Sequence, residues 1–475
     1  MSPQVCANYF FCKLKFFLFL IFILFCSCIA VWEKLNTISL SEIKKRGKLK
    51  VITSYNPNSY FLYKDQPIGY EYELLKLLSK DLGVELDMHV TSDLNNIDFM
   101  LNNGEGDLIA ANSLVTREKS KQLKYTEYVM TTKQVLIQRK KNYNPKKKKV
   151  DYLENAVELI GKTIHVRENS DYHLKLKKLQ DEIGGSIKIV PIKENITIDE
   201  LIEKVYTGEI DYTVADDQTA LINQSYYSEI DSKLAISIDT KIAWVVRRNS
   251  SELLEYINNW ILKNRDKIEE IQDKYYKKSR LYMEELKSEF KPKSKSSISA
   301  FDTIIKIEAE KLNWDWRLLA SLIFQESRFN PSAQSWAGAR GLMQIMPETA
   351  AGLGLPLSEI NNPKRNIETG VKHLQYLQRL WKDIIPDEDE RIKFVLASYN
   401  AGQGHVLDAM TLTKYFNKKS TVWDKNVEDS MLLLSDPAYF NGYGVKYGYC
   451  RGIEPYKYVH EIFERYKEFR DKVKK

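Results

Sequence analysis

The spacing of hydrophobic and polar positions divides the chain into three stretches with different periods. Lys13 and Lys15 precede Phe16 to Phe25, an unbroken run of Phe, Leu and Ile. A charged start followed by such a run is the layout of an export signal. From Lys48 the pattern becomes LKVIT, a loop, a helix with apolar Leu74, Leu75, Leu77 and Leu78, and a second strand from Val84 to Val90. That is a β-α-β pattern. The phrase Gly-x-x-Asp occurs at Gly104 and again at Gly208, each time in a helix-turn-strand unit, so two similar α/β lobes are expected. An amphipathic helix through Tyr256, Trp260, Ile261, Ile268 and Ile271 closes this region.

Residues 286–299 are rich in Lys, Ser and Pro and lack an apolar period, which marks a linker. From Phe301 onward the period is helical, with segments Leu318 to Ser327, Thr369 to Trp381, Arg391 to Asn400 and Glu454 to Phe469. The expected organisation is a signal over 1–28, a two-lobed α/β domain over 33–285, the linker, and an all-α module over 300–475. The all-α module is long enough to bury its own core.

Composition narrows the function classes. Hydrophobic residues make up 43% and charged residues 28%, which is globular. The net charge of +7 arises from 71 basic against 64 acidic residues. This mild excess suits an acidic polymer or an anionic membrane surface and is not a nucleic-acid footprint. The run Lys146 to Lys149 has no interleaved aromatics and reads as a solvated crossover face. Cys6, Cys12 and Cys26 would leave with the signal, so no disulfide framework or cysteine metal site can form, and no metal or cofactor is expected. Phe25-Cys26-Ser27-Cys28 resembles the lipobox of bacterial lipoproteins, which implies lipidation of Cys28. A multiply acylated cysteine anchors a protein firmly, whereas one chain does not. Counted to Trp32, the apolar stretch barely spans a bilayer, and a retained anchor is the second choice.

Within the all-α module, Leu319, Leu322 and Ile323 form a stripe whose next member, seven residues after Leu319, is Glu326. A carboxylate aimed at an apolar face is either paired or has a raised pKa, and the second state is what an acid catalyst requires. Position alone leaves a salt bridge and catalysis equally open. Ile392, Val395, Leu396 and Tyr399 follow the same spacing, so the Tyr399 hydroxyl is placed to orient the carboxyl.

Three ordered phrases, Gln325-Glu326-Ser327, Gly338 to Pro347 (GARGLMQIMP) and Ala397 to Gly402 (ASYNAG), with Glu454 to Val459 (EPYKYV) as a fourth, resemble the catalytic domain of lytic transglycosylases of the soluble type, a lysozyme-like fold. The resemblance implies cleavage of the MurNAc-GlcNAc bond of peptidoglycan by one Glu, first acid and then base, with a 1,6-anhydro product. It places Tyr399 beside that Glu. Gly338 and Gly341 permit a tight loop near a sugar chain. Gln344, Met343, Ser327 and Asn400 are candidate substrate contacts, with Tyr458 of the fourth phrase. Ser398 stands where this family usually has Ala.

The segments GYEYELLKLLSKDLGVEL, GEGDLIAANSLVTREK and GEIDYTVADDQ resemble periplasmic solute-binding proteins of family 3. This implies two lobes closing on a small ligand, with Asp216 taking an α-amino group. The family's carboxylate-gripping Arg is here Lys119, which lacks the bidentate fork, so a peptide or muropeptide is at least as suitable as a free amino acid. The whole order resembles the membrane-bound lytic murein transglycosylases. It implies a lipid-anchored enzyme at the periplasmic face of a membrane, the outer one in first place, with glycan strands as substrate and no nucleic acid as partner. A goose-type hydrolytic lysozyme and a non-catalytic binding protein are the alternatives.

Overall fold

The computed structural model describes residues 39–56, 59–91, 96–111, 123–146, 150–168, 170–192, 196–276 and 297–473. The expected signal over 1–28 with Cys28, Lys119, residues 147–149 of the lysine run, and 286–296 of the linker lie outside the described residues. In chain order the elements are α1 (Leu40–Arg46), β1 (Lys48–Thr53), β2 (Phe61–Tyr63), β3 (Gln66–Ile68), α2 (Tyr70–Leu82), β4 (Glu85–Val90), α3 (Ile97–Asn102), β5 (Leu108–Ile109), β6 (Leu123–Thr132) and β7 (Gln134–Arg139). Then come β8 (Thr163–Arg167), α4 (Asp171–Ile183), β9 (Lys188–Ile192), α5 (Ile198–Thr207), β10 (Thr213–Asp216), α6 (Asp217–Tyr226), β11 (Ile230–Asp231), β12 (Thr240–Arg247), α7 (Ser251–Lys263) and α8 (Arg265–Tyr276). The remainder is helical: α9 (Asp302–Glu310), α10 (Trp316–Ser327), α11 (Pro347–Gly352), α12 (Pro363–Lys382), α13 (Glu388–Ala401), α14 (Gln403–Tyr415), α15 (Glu428–Leu433), α16 (Pro437–Phe440) and α17 (Ile453–Lys472).

The chain divides into two compact units. The first takes residues up to Ser54, Leu75–Val129 and Ala243–Asn264. It is built on one sheet in the order β4-β1-β5-β12-β6, with β1 parallel to β4 and β5 and β12 antiparallel to β5. Ile52, Leu101, Ile109, Leu123 and Val245 form its core. Arg247 is buried there and donates to the Leu101 carbonyl (2.7 Å) and the Gly106 carbonyl (2.5 Å). Its charge faces Asp107, so the buried cation is paired.

The second unit takes Tyr55–Leu74, Met130–Ile242 and Arg265–Lys475. In its α/β part, β7 lies between β10 and β11, antiparallel to both, and β8 pairs with β9 in parallel. Leu136 packs on one side with Ile164 and Val214, while Val135 and Ile137 pack with Ile202 and Val205. Both faces of β7 are therefore covered, as the alternation of strand side chains requires.

The helical part surrounds α10. Leu318 to Phe324 are all buried, the signature of a central helix rather than a surface one. Helix α17 packs against α10 and α13, and α12 against α13. Arg328 (φ 50°) and Phe329 (φ 63°) terminate α10 in two successive left-handed residues. Phe329 is anchored edge-on against Phe324 at 5.7 Å.

The hairpin of β2 and β3 lies within the front half of the sequence, yet Phe61 and Ile68 belong to the same hydrophobic core as Leu319 and Leu396. Its two turn residues, Lys64 (φ 49°) and Asp65 (φ 60°), are both left-handed. That geometry defines a two-residue type I′ turn. The helix expected through Tyr256 to Ile271 is two helices, because Asn264 ends α7. Its side-chain amide donates to the Trp260 carbonyl at 2.9 Å and so competes with the helical ladder. Among the described residues, no helix is long and apolar enough to cross a membrane.

Candidate active site

Glu326 occupies the last turn of α10 and is 8% exposed. Tyr458 of α17 donates its hydroxyl to Glu326 Oε1 at 2.6 Å. Lys64 Nζ lies 3.3 Å from each carboxyl oxygen and 3.4 Å from the Gln344 carbonyl. The same ammonium stands 5.1 Å from the centre of the Tyr399 ring. Burial pushes the Glu326 pKa up, while the Lys64 charge and the hydrogen bonds from Tyr458 and Lys64 pull it down, and the net direction is upward. Burial and the nearby Glu326 charge raise the Tyr458 and Tyr399 phenols well above their ordinary value. Both therefore stay protonated as donors near neutral pH.

The Tyr399 hydroxyl was expected to orient the carboxyl, but it donates to the Met343 carbonyl at 2.7 Å. Tyr458 is the tyrosine bound to Glu326. The reason is reach: α17 packs directly on α10, whereas Tyr399 on α13 meets the loop that carries Met343. The ring of His373, whose pKa falls to about 4 through burial and the Lys64 charge, backs Tyr399 at 5.4 Å.

Asn366 of α12 organises the loop from Ala333 to Met346. Its Oδ1 accepts from the Met343 amide at 2.7 Å, and its Nδ2 donates to the carbonyls of Arg340 (3.0 Å) and Ile360 (2.7 Å). Gly341 (φ +80°) sits against this hub, and a Cβ there would lie 2.3 Å from Asn366 Nδ2. Its freedom thus serves packing of the loop on α12 instead of approach to a sugar. Two further expectations are corrected. Ser327 is fully buried and donates to the carbonyls of Leu342 (2.8 Å) and Ile323 (3.2 Å). Met343 is fully buried, with its thioether against Gly370. Both hold the loop to the core and do not reach the cleft. Gln344, left-handed at φ 47°, lines the cleft while its Nε2 donates to the carbonyls of Ala333 (3.1 Å) and Gly341 (2.9 Å).

The cleft has a volume of about 430 Å³ and is lined by Glu326, Gln344, Asn400 and Tyr458, with Tyr63 and Trp336 packed on each other at 5.8 Å. Glu454 at its edge is held by Arg451 (2.7 Å) and by the Tyr226 hydroxyl. Tyr226 ends α6, and Asp216 caps the start of the same helix. Tyr172 donates to Asp216 Oδ2 at 2.9 Å. Thus Glu326, Tyr399, Tyr458, Gln344 and Asn400 come together, Asp216 lies one helix away from the cleft edge, and Lys119 is outside the described residues.

Sequence reasoning missed Lys64, Asn366 and Tyr226. Lys64 had one signal: the polar pair Lys64-Asp65 between Phe61-Leu62-Tyr63 and Ile68 has the form of a tight hairpin. A lone Asn and a lone Tyr on helices carry none.

Residues 48–278 match the bacterial extracellular solute-binding proteins of family 3, and residues 303–422 match the transglycosylase SLT domain. A membrane-bound lytic murein transglycosylase F of Desulfosudis oleivorans is 33% identical over 430 residues, 90% of this chain and 91% of that protein. One from Vibrio cholerae serotype O1 is 30% identical over 90% of this chain and 80% of its own length. Among solved structures, an ancestral cationic amino acid solute-binding protein aligns with a TM-score of 0.40 and 24% identity, over 50% of this chain and 99% of that one. With both domains matched in order and a relative this similar along nearly its whole length, the chain belongs to the membrane-bound lytic murein transglycosylase F family and is a peptidoglycan lytic transglycosylase carrying a solute-binding-like domain.

Proposed function

We propose that Glu326 is the single acid and base of this lyase, and that the hairpin turn bearing Lys64 holds it inactive until a ligand in the front domain draws the turn away. The observation that carries the reading is the buried Glu326 carboxyl in the cleft, with Tyr458 donating to one oxygen. A protonated Glu326 gives its proton to the glycosidic oxygen as the bond to the MurNAc anomeric carbon breaks. The MurNAc C6 hydroxyl then attacks that carbon, Glu326 takes the hydroxyl proton, and a 1,6-anhydro sugar leaves without water. Intramolecular attack has a high effective concentration, which offsets the lack of a second carboxylate. Of the four other carboxylates lining the cleft, Glu454 is engaged by Arg451, Glu461 by Gln325 and Glu468 by Arg465, and Glu464 is exposed to solvent.

Lys64 opposes this chemistry twice. Its charge favours the ionised carboxyl, and its ammonium fills the space within hydrogen-bond reach that the leaving oxygen must occupy. A small ligand or muropeptide recognised at Asp216 is the effector in this reading. The relatives are membrane-bound by name, in keeping with the cell envelope, and acylation of Cys28 at the periplasmic face of the outer membrane would supply the anchor. The test is digestion of purified sacculi by wild type and Glu326→Gln, with mass analysis of the fragments. The lyase product lacks one water; fragments one water heavier would make the enzyme a hydrolase, and an equally active variant would remove Glu326 from the mechanism. Globomycin-sensitive processing and a lipid-modified N-terminal peptide would establish Cys28, and a Cys28→Ser chain that stays in the membrane would refute it.

A further inference from the structure

Away from the cleft, the helical module presents three contiguous aromatic side chains to solvent: Tyr415 (59% exposed), Phe416 (36%) and Tyr443 (41%). Tyr415 ends α14, Phe416 caps that helix, and Tyr443 sits in the Gly442-Tyr443-Gly444 loop after α16. Tyr443 meets Tyr415 edge-on at 4.5 Å and 63°, and lies 6.3 Å from Phe416. It also stacks on buried Tyr439 at 5.7 Å and 24°. The rings are fixed in place. Tyr443 keeps a left-handed backbone (φ 57°), which costs an L-residue of its bulk about 1–2 kcal/mol and persists only where the surroundings enforce it.

Two buried polar atoms among these residues, the Tyr439 hydroxyl and Asn441 Oδ1, have no hydrogen-bond partner among the described residues. Lys414, Lys419 and Lys446 are exposed next to the same segments. Three exposed rings in mutual contact differ from the scattered single apolar residues of an ordinary surface and suit a contact surface. The chemistry around it selects the partner. A purely aliphatic partner surface would leave the phenol hydroxyls and the ammonium groups of Lys414, Lys419 and Lys446 without polar partners. Aromatic faces with hydroxyls and a cationic rim suit a pyranose, which offers an apolar C–H face, a hydroxylated edge and, in peptidoglycan, carboxylates on the attached peptides.

We propose that Tyr415, Phe416 and Tyr443 form a second glycan-binding platform, which holds a peptidoglycan strand outside the catalytic cleft. Helix α14 runs 13 residues from its start beside Asn400 and Gly402 to Tyr415. The platform therefore lies about 20 Å from the cleft end of that helix, a distance that only a polymeric substrate bridges. The proposal rests on the reading of the substrate as a glycan strand, not on the role of Glu326.

The test compares the full chain as Glu326→Gln, so that sacculi stay intact, with the same chain also carrying Tyr415→Ala and Tyr443→Asn. Asparagine tolerates the left-handed backbone. Sacculus co-sedimentation is expected to weaken about tenfold, in line with the loss of two aromatic stacks. With Glu326 intact, the double variant should cleave short soluble glycan fragments at the wild-type rate and sacculi more slowly. Tyr415→Trp with Tyr443→Trp should retain sacculus binding, which a purely structural role would not predict. Unchanged co-sedimentation of the Ala/Asn variant would overturn the proposal while leaving the transglycosylase reading intact. So would loss of binding to anionic vesicles with sacculus binding preserved. A wild type that neither binds nor cleaves sacculi would instead sink the substrate reading itself.

Discussion

Lys64 and Glu326 are separated by 262 positions in the chain and by 3.3 Å in the structure. The contact exists because the two-residue turn of the β2–β3 hairpin seats on the start of α14. Gly402 (φ +98°) makes room for it, since a Cβ there would lie 2.5 Å from Asp65 Oδ1. The Gln403 amide donates to Asp65 Oδ2 at 3.4 Å, and His405 Nε2 bonds the Leu62 carbonyl at 3.1 Å. A charge delivered to a buried carboxyl by so many local contacts is a positioned group, not a passing surface pair.

Replacing Lys64 with Met keeps the bulk of the stem and removes the charge. Activity on sacculi without added effector is expected to rise. The Lys64 charge lowers the Glu326 pKa, so its loss should move the limb governed by the protonated acid to higher pH. A pH–rate profile of Lys64→Met with no upward shift and no gain in basal rate would refute the autoinhibitory role.

The two tyrosines beside Glu326 should separate cleanly. Tyr458→Phe removes a hydrogen bond to the carboxyl, and a bond to a charged group is worth about 1.5–3 kcal/mol, so the rate should fall roughly 10- to 100-fold, while Lys64 still donates to the same carboxyl oxygen and keeps the loss of stability below that of Tyr399→Phe. Tyr399→Phe strips the buried Met343 carbonyl of its donor, at a cost of about 1–3 kcal/mol in stability. Rate measurements and thermal melts on both variants decide the matter; a Tyr399→Phe chain that melts like wild type would contradict this division.

The fold was readable in the sequence wherever period and cap agreed. Leu319, Leu322, Ile323 and Glu326 share a face at helical spacing, and α10 follows that face from its Asp315 cap. The four family phrases named Glu326, Gln344, Tyr399, Asn400 and Tyr458, which the fold brings together, because each lies in a local run of distinctive residues. Side-chain direction was less accessible. Ser327 and Met343 stand in those runs yet turn inward, since the loop after α10 is held to α12 by Asn366, a contact between elements that no local pattern encodes. The same holds for Lys64. Its turn was legible, but its target depends on how Phe61 and Ile68 enter the core of a distant helical module.

His405 is fully buried beneath the hairpin and its pKa falls from 6.5 to about 4 through burial. A histidine whose folded pKa is depressed contributes stability that is present above the unfolded value and lost as pH falls toward the folded one. The fall from 6.5 to about 4 corresponds to about 3 kcal/mol between those two pH values. His405→Gln removes this dependence, so the stability gap between wild type and variant should narrow as pH drops from 6.5 to 4. Denaturant titrations across that window provide the measurement, and a gap independent of pH would exclude the assignment.

Gly341→Ala places a methyl where Asn366 Nδ2 and the Ile360 carbonyl already stand, on a backbone at φ +80°. Asn366→Ala instead leaves the Met343 amide and the Ile360 carbonyl without their partner, while the Arg340 carbonyl keeps the Ile345 amide at 3.0 Å. Each buried group so stranded costs about 1–3 kcal/mol, and both variants should therefore melt lower and lose activity together through displacement of Gln344. Retained full activity in a clearly destabilised Asn366→Ala chain would show that the loop position does not govern the cleft.

Helix α6 begins at Asp216, where the family resemblance places ligand recognition, and ends at Tyr226, whose hydroxyl donates to Glu454 at the cleft edge. A rigid helix of 10 residues spans about 15 Å, so movement at its first turn is carried to the cleft without any further element. Tyr226→Phe cuts that link while leaving Glu326, Tyr458 and Lys64 untouched. Basal cleavage by the variant should match wild type, and so should cleavage by Tyr226→Phe combined with Lys64→Met when compared with Lys64→Met alone. The response to added muropeptide should be blunted, because the ligand then moves α6 without pulling on Glu454. Titration of muropeptide against initial cleavage rate reads this out. An unaltered response would route the signal elsewhere, and a fall in basal rate would make Tyr226 a substrate contact instead of a coupling residue.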